Sequence, residues 1–153
     1  MPDILHLLNI GASPERVFAA VASEDGVRNW WTRDATLGTQ AGGVGEFAFY
    51  GRKTVTHVTI EELTPPVRVR WRVADSTLAS WRGTSVAFDL EPQDGGTVLR
   101  FAHRGFAQAD DNYARVTTGW GYYLASLKAY LETGKGAPHP DIDFHRMVAR
   151  DAA

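Results

Sequence analysis

Hydrophobic and polar positions alternate, drift and alternate again along this chain, and the changes of period mark out its elements. Residues 3–10 (DILHLLNI) place Leu5 and Leu7 on one side of an extended segment and Ile4, Leu8 and Ile10 on the other, which predicts a buried first strand. Ser13, Pro14 and Glu15 then supply an N-cap oxygen, a residue suited to the first helical turn and an acidic group at the positive helix end. A short helix carrying Val17, Phe18 and Val21 follows, and Ser23 caps a second one that runs through Trp31 until Thr32, Asp34 and the glycines after them end it.

From residue 44 the period becomes two. The clearest run is VRVRWRV at 67–73, where Val67, Val69, Trp71 and Val73 alternate with three arginines, so one face is dry and the other charged. Residues 84–91 repeat the pattern with Val86, Phe88 and Leu90 and lead through a Gly95-Gly96 turn into 97–103, where Leu99, Phe101 and His103 share a side. Residues 44–50, with Phe47 and Phe49 on one face, and 54–63 supply two more strands; in the second, the facing of Val55, His57, Val58 and Ile60 stays open by pattern. Between about Asp110 and Glu132 the spacing turns helical, through Tyr113, Val116, Thr117, Trp120, Leu124, Leu127 and Leu131, with Gly134 as the stop. Such a helix is roughly 30 Å long. A sheet with one dry face and one long amphipathic helix bury those faces against each other. The expectation is an α+β fold: a curved antiparallel sheet of about six strands around a long C-terminal helix, with two short helices between strands 1 and 2. Residues 1–134 form the domain and 135–153, rich in glycine and proline, a tail.

Composition narrows the function. The 153 residues carry 16 basic and 18 acidic side chains, a formal charge of −2, so no global field attracts nucleic acid. Cysteine is absent, which removes disulfides, thiolate nucleophiles and sulfur-ligated metals together. The N-terminus lacks a basic segment followed by a long apolar run, so no membrane insertion and a cytoplasmic location are expected. The five histidines contain no H-x-x-x-H pair; His139, Asp141, Asp143 and His145 alternate in the tail and read as solvated surface rather than a metal site. No cofactor is expected: Gly43-Val44-Gly45 and Gly119-Trp120-Gly121 do not continue into a dinucleotide-binding loop.

Several segments resemble the START-like, or SRPBCC, superfamily, and within it the group similar to the C-terminal domain of the activator of the ninety-kilodalton heat-shock chaperone. The resembling residues are Ala12 to Phe18 opening helix one, Trp30-Trp31 closing helix two, Thr64-Pro65-Pro66, Phe88 to Thr97 across the hairpin, and Gly119-Trp120 to Leu131 in the last helix. The resemblance implies a helix-grip fold with a cavity between sheet and last helix. Its members range from lipid carriers to aromatase-cyclases and chaperone regulators, so the fold does not choose an activity.

The aromatic residues make a ligand cavity the leading expectation. Trp31, Phe47, Phe49, Trp71, Trp81, Phe88, Phe101, His103, Tyr113, Trp120 and Leu124 are the candidate wall for a small apolar or aromatic molecule, with Phe106 beside them and Trp81 Nε1 as a donor. His103, Tyr113 and His57, with Arg104, are the polar candidates for the same face. His103 is either a proton-transfer group or a histidine hydrogen-bonded at a strand end. A cyclase or dehydratase would use an inward His or Tyr; a chaperone-interacting module and a homodimer built with the tail are further alternatives. Arg68, Arg70 and Arg72, with Arg52 and Lys53, are read as a solvated basic strip.

Overall fold

The computed structural model describes residues 1–142 and Val148. The chain forms β1 (Ile4–Ile10), α1 (Pro14–Ala22), α2 (Glu24–Trp30), β2 (Asp34–Leu37), β3 (Val44–Phe49), β4 (Thr54–Thr64), β5 (Arg68–Ser76), a 3-10 turn (Ala79–Trp81), β6 (Ser85–Gln93), β7 (Gly96–Arg104) and α3 (Asp111–Thr133). All seven strands belong to one antiparallel sheet in the order β1-β7-β6-β5-β4-β3-β2. The α+β helix-grip expectation holds, with one strand more than expected.

That extra strand, β2, lies where the pattern of Asp34 and the nearby glycines predicts only the end of a helix. Four residues are too few to show a period, and the segment extends because it pairs with β3 from Asp34↔Ala48 to Leu37↔Gly45. The second helix also stops one residue early, with Trp31 as its C-cap. The capping of both short helices follows the sequence: Ser13 Oγ accepts from Arg16 N, and Ser23 Oγ accepts from Gly26 N at 3.0 Å.

The facing of β4, open by pattern, is settled by burial. Thr56, Val58 and Ile60 point inward, and the register shifts between Ile60 and Glu62 and again between His57 and Val58. Val69, Trp71 and Val73 are buried as their alternation requires, but Val67 precedes the strand and is 48% exposed. The arginines of β5 face outward and are solvated as expected, but acids beside Arg68 and Arg72 match part of their charge. Arg68 pairs with Asp89 and Glu62, Arg72 with Glu61, and Arg52 with Asp34 and Glu46, so acids on neighbouring strands offset these charges.

β1 is an edge strand rather than a buried one: Ile4 and Ile10 are buried, while Leu5 and Leu7 are 61% and 69% exposed on the outer face. Its free edge is covered by α3, which runs alongside in the same direction. Tyr113 Oη donates to Asp3 O, Lys128 Nζ to Asn9 O, and Gly11 N donates to Glu132 Oε2. Tyr113 to Glu132 in a helix spans about 28 Å and Asp3 to Gly11 in extended chain about 27 Å, which is why the contacts keep step. The other edge is treated likewise by α2, with Arg28 Nε donating to Ala35 O and Leu37 N donating to Glu24 Oε1. Both sheet edges are therefore occupied by helix side chains, the arrangement that discourages edge-to-edge aggregation.

The C-terminal segment departs from the expected tail. Gly136 lies so close to Asn29 O and Ser126 O that no Cβ would fit, Ala137 N donates to Ser126 Oγ, and Pro138 is buried. His139 pairs with the main chain on both sides of Thr32, its N donating to Trp31 O and its O accepting from Arg33 N. Residues 135–142 thus form a strap over one end of the sheet.

Candidate functional site

The inward faces of β3 to β7 and the roof helix α3 meet in a single aromatic cluster. Trp31, Phe47, Trp71, Phe88, Phe101, Trp120 and Leu124 are all at most 3% exposed, and Trp81 is 8% exposed. Four indoles form a column: Trp81 to Trp120 at 6.0 Å and 26°, Trp120 to Trp31 at 4.9 Å and 34°, and Trp31 to Trp71 at 6.1 Å and 8°. Trp30 stacks on the side of Trp31 at 5.9 Å and 14°. All five tryptophans of the chain therefore share one ring network, with Phe47, Phe88 and Phe101 set against its flanks at 4.5–5.3 Å. The expected wall residues come together, but in this state their own rings occupy the space between sheet and roof.

His103 lies fully buried beneath Trp120, and its protons are fixed by its neighbours. Trp120 Nε1 lies 3.0 Å from His103 Nδ1, and an indole N–H can only donate, so Nδ1 is the acceptor. The neutral ring then carries its hydrogen on Nε2, which donates to Thr84 Oγ1 at 2.8 Å, and Thr84 in turn donates to Trp81 O. Burial pushes the His103 pKa down to about 3. Of the two readings of His103 at the sequence level, the geometry matches the hydrogen-bonded structural one. Phe106, 1% exposed, stacks edge-on against the same imidazole at 4.5 Å.

The other polar candidates separate. Tyr113 is half-buried at the end of the cluster, where its hydroxyl donates to Asp3 O at 2.6 Å and its ring meets Phe106. His57 faces outward beside Glu46, 3.5 Å away, and Arg104 points out to Asp3; neither shares the inner face as expected. The reason is register: Thr56 and Val58, not His57, turn inward, and His103, not Arg104, is the inward member of its pair. His6 Nε2, beside Phe101, is buried without a partner, and so are two groups of the ring column. The indole nitrogens of Trp71 and Trp81 are buried and unpaired.

Phe49 stands at the opposite end of the cluster, half-buried, against Trp31, Tyr123 and His139. There an open groove of about 430 Å³ is lined by Thr32, Arg33, Asp34, Ala48, Phe49, Tyr50, Gly51, His139 and Pro140. Three successive left-handed residues, Tyr50, Gly51 and Arg52 at φ 55°, 63° and 68°, form its β3–β4 rim. His139 Nε2 accepts from Tyr50 N at 3.0 Å and so pins that rim, while Arg33 donates to both carboxylate oxygens of Asp141 through its Nε and Nη2. His139 is thus engaged in the strap rather than solvated as expected, while Asp141 pairs with Arg33 at the exposed surface; Asp143 and His145 lie outside the described residues. No group of three or more His, Cys, Asp or Glu able to hold a metal occurs among the described residues. No helix among them is long and apolar enough to cross a membrane. Sequence reasoning missed Thr84, Ser126 and the strap; only the flanking Pro138 and Pro140 signal that His139 sits in a fixed segment.

The family described as "Activator of Hsp90 ATPase homolog 1-like protein" matches residues 11–132. The chain belongs to this family. It is similar to a solved structure described as the Aha1 dimer from Colwellia psychrerythraea, with 36% identity, 89% of this chain and 100% of that chain covered, and a TM-score of 0.80. The protein SSP2350 from Staphylococcus saprophyticus is 20% identical over 88% of this chain and 95% of its own, with a TM-score of 0.73. DynU16, from the dynemicin biosynthetic locus, is 19% identical over 88% of this chain and 48% of its own, with a TM-score of 0.72; these last two show a shared fold. No curated protein matches significantly. The START-like resemblance of the sequence is thereby placed in the Aha1-like branch.

Proposed function

We propose that this Aha1-like domain is a non-catalytic binder of a small, flat, largely apolar molecule, held between α3 and the sheet. One observation carries the reading: aromatic faces dominate the interior, while both inward acid–base candidates are already spent. His103 has both ring nitrogens bonded, and Tyr113 donates to a main-chain carbonyl. A cyclase-like reaction would need one of them free to exchange a proton, so that alternative has less support. Binding exchanges ring–ring contacts for ligand–ring contacts and requires α3 to lift from the sheet. Native mass spectrometry and tryptophan fluorescence with a panel of polycyclic aromatics and fatty acids test the idea. One molecule bound per chain with a raised Tm is expected; no binding across the panel sinks it.

A second reading, self-association, has its own support. The similar Colwellia protein is described as a dimer, and Leu5 and Leu7 stand side by side on the outer face of β1. Light scattering at several concentrations tests it, with L5E/L7E expected to be monomeric where the native chain is not. A chaperone partner rests on the family description alone.

A further inference from the structure

Five indoles share one network, but their N–H groups meet different fates. Trp30 Nε1 donates to Ala20 O at 2.9 Å and Trp120 Nε1 to His103 Nδ1 at 3.0 Å. Trp71 Nε1 and Trp81 Nε1, at the two ends of the four-membered column, have no acceptor, although the first residue is fully buried and the second 8% exposed. A buried donor left without a partner is costly, and native cores avoid it unless something fills the role.

The polar groups around the column are committed. The hydrogens of Thr84 and Thr32 go to Trp81 O and Ala48 O, and both nitrogens of His103 are taken. The two unpaired groups of the column are thus both donors; a third unpaired nitrogen, His6 Nε2, lies off the column beside Phe101 and α3. A guest that complements this interior is a planar ring system that brings a hydrogen-bond acceptor and needs no acceptor in return.

Resting on the reading of this interior as a binding site, we infer that its ligand is a fused-ring aromatic ketone, quinone or ether, whose oxygen accepts from the indole N–H of Trp81 or Trp71. Trp81 is the outer of the two, on the short turn between β5 and β6, and its ring lies near-parallel to that of Trp120. A ring slipped against that pair gains stacking area, and its carbonyl relieves the unpaired donor. A hydrocarbon of the same shape gains the first and leaves the second.

Fluorenone and fluorene have the same tricyclic outline and differ at one position, C=O against CH2, and the hydrocarbon is the more apolar. A purely apolar site prefers fluorene. The inferred site prefers fluorenone by roughly five- to tenfold, the worth of one net hydrogen bond. With the 15N-labelled full chain, titration with fluorenone should move the Trp81 or Trp71 indole N–H resonance, assigned through W81F and W71F. The W81F or W71F variant that loses the shifted resonance should bind both compounds alike. Equal or tighter binding of fluorene, or fluorenone binding with both resonances unmoved, overturns the inference while leaving interior binding in place. Failure of both compounds to bind overturns the binding reading and this inference with it.

Discussion

Trp120 Nε1 sits 3.0 Å from His103 Nδ1, and this one bond ties the roof helix to the end of β7 on the sheet's inner face. Because the indole can only donate, it sets the tautomer of the imidazole, and the imidazole orders Thr84 against Trp81 O. The roof, the sheet and the turn bearing Trp81 are joined through a single histidine.

Breaking that chain at both ends should therefore cost less than the sum of the two single breaks. H103L leaves the Trp120 N–H buried without an acceptor and should lose about 2–3 kcal/mol. W120F removes the donor and opens a void, with a loss of about 3 kcal/mol. The H103L/W120F variant should fall short of the sum by about 1–2 kcal/mol. Urea unfolding of the four proteins measures this, and strict additivity would show that the two residues do not act through their bond.

The same burial makes stability depend on pH. His103 titrates near 3 in the folded chain against 6.5 in its ordinary state, so the unfolded chain holds the extra proton between those values. Stability is complete above about pH 6.5 and declines as pH falls toward 3, by on the order of 5 kcal/mol from this residue. His6, whose pKa burial also lowers, adds to the slope in the same direction. Unfolding free energies at pH 7, 5.5 and 4.5 should show the decline, and H103Q should flatten it by close to one proton. An unchanged slope in H103Q would mean that the imidazole is not held neutral by the core.

Where the pattern was long and regular, it was decisive. The alternation through Val69, Trp71 and Val73, and the helical spacing through Trp120, Leu124, Leu127 and Leu131, set the sheet, the roof and the aromatic cluster between them. β2 was not legible because four residues carry no period, and His57 could not be oriented because Val55 and Val58 are apolar on opposite phases while the inward Thr56 is polar. The cluster's membership could be read, but not its packing. Whether rings line a space or fill it depends on distances such as the 4.9 Å between Trp31 and Trp120, which no periodicity encodes. The fate of His103 likewise depends on Thr84, a residue with no motif around it.

The strap should be separable from the rest of the core. H139A removes the acceptor of Tyr50 N–H at a rim that already holds three left-handed residues, and a loss of about 1–2 kcal/mol is expected. Hydrogen exchange at the Tyr50 amide should speed up, while amides in β6 and β7 keep their protection. G136A should produce the same local pattern, since its Cβ would lie 2.3 Å from Asn29 O. Faster exchange throughout β6 and β7 in either variant would show that residues 135–142 are part of the global folding unit instead.

The two short helices offer the strictest steric test. Gly26 is buried in α2 against the end of α1, and a Cβ there would stand 2.5 Å from Ala20 O and 2.6 Å from Ala20 Cα. Both are main-chain atoms, so no rotamer change relieves the contact. The helices would have to part, and Trp30, whose indole donates to that same Ala20 carbonyl, would move with them. Alanine is the better helix former, and in an exposed helix the change would stabilise by up to about 1 kcal/mol. Here the clash should win: G26A should lose about 3 kcal/mol or more, the range of severe overpacking. Its near-ultraviolet circular dichroism should also change, because Trp30 stacks on Trp31. A stabilised G26A with an unaltered aromatic spectrum would show that α1 and α2 are not packed this closely.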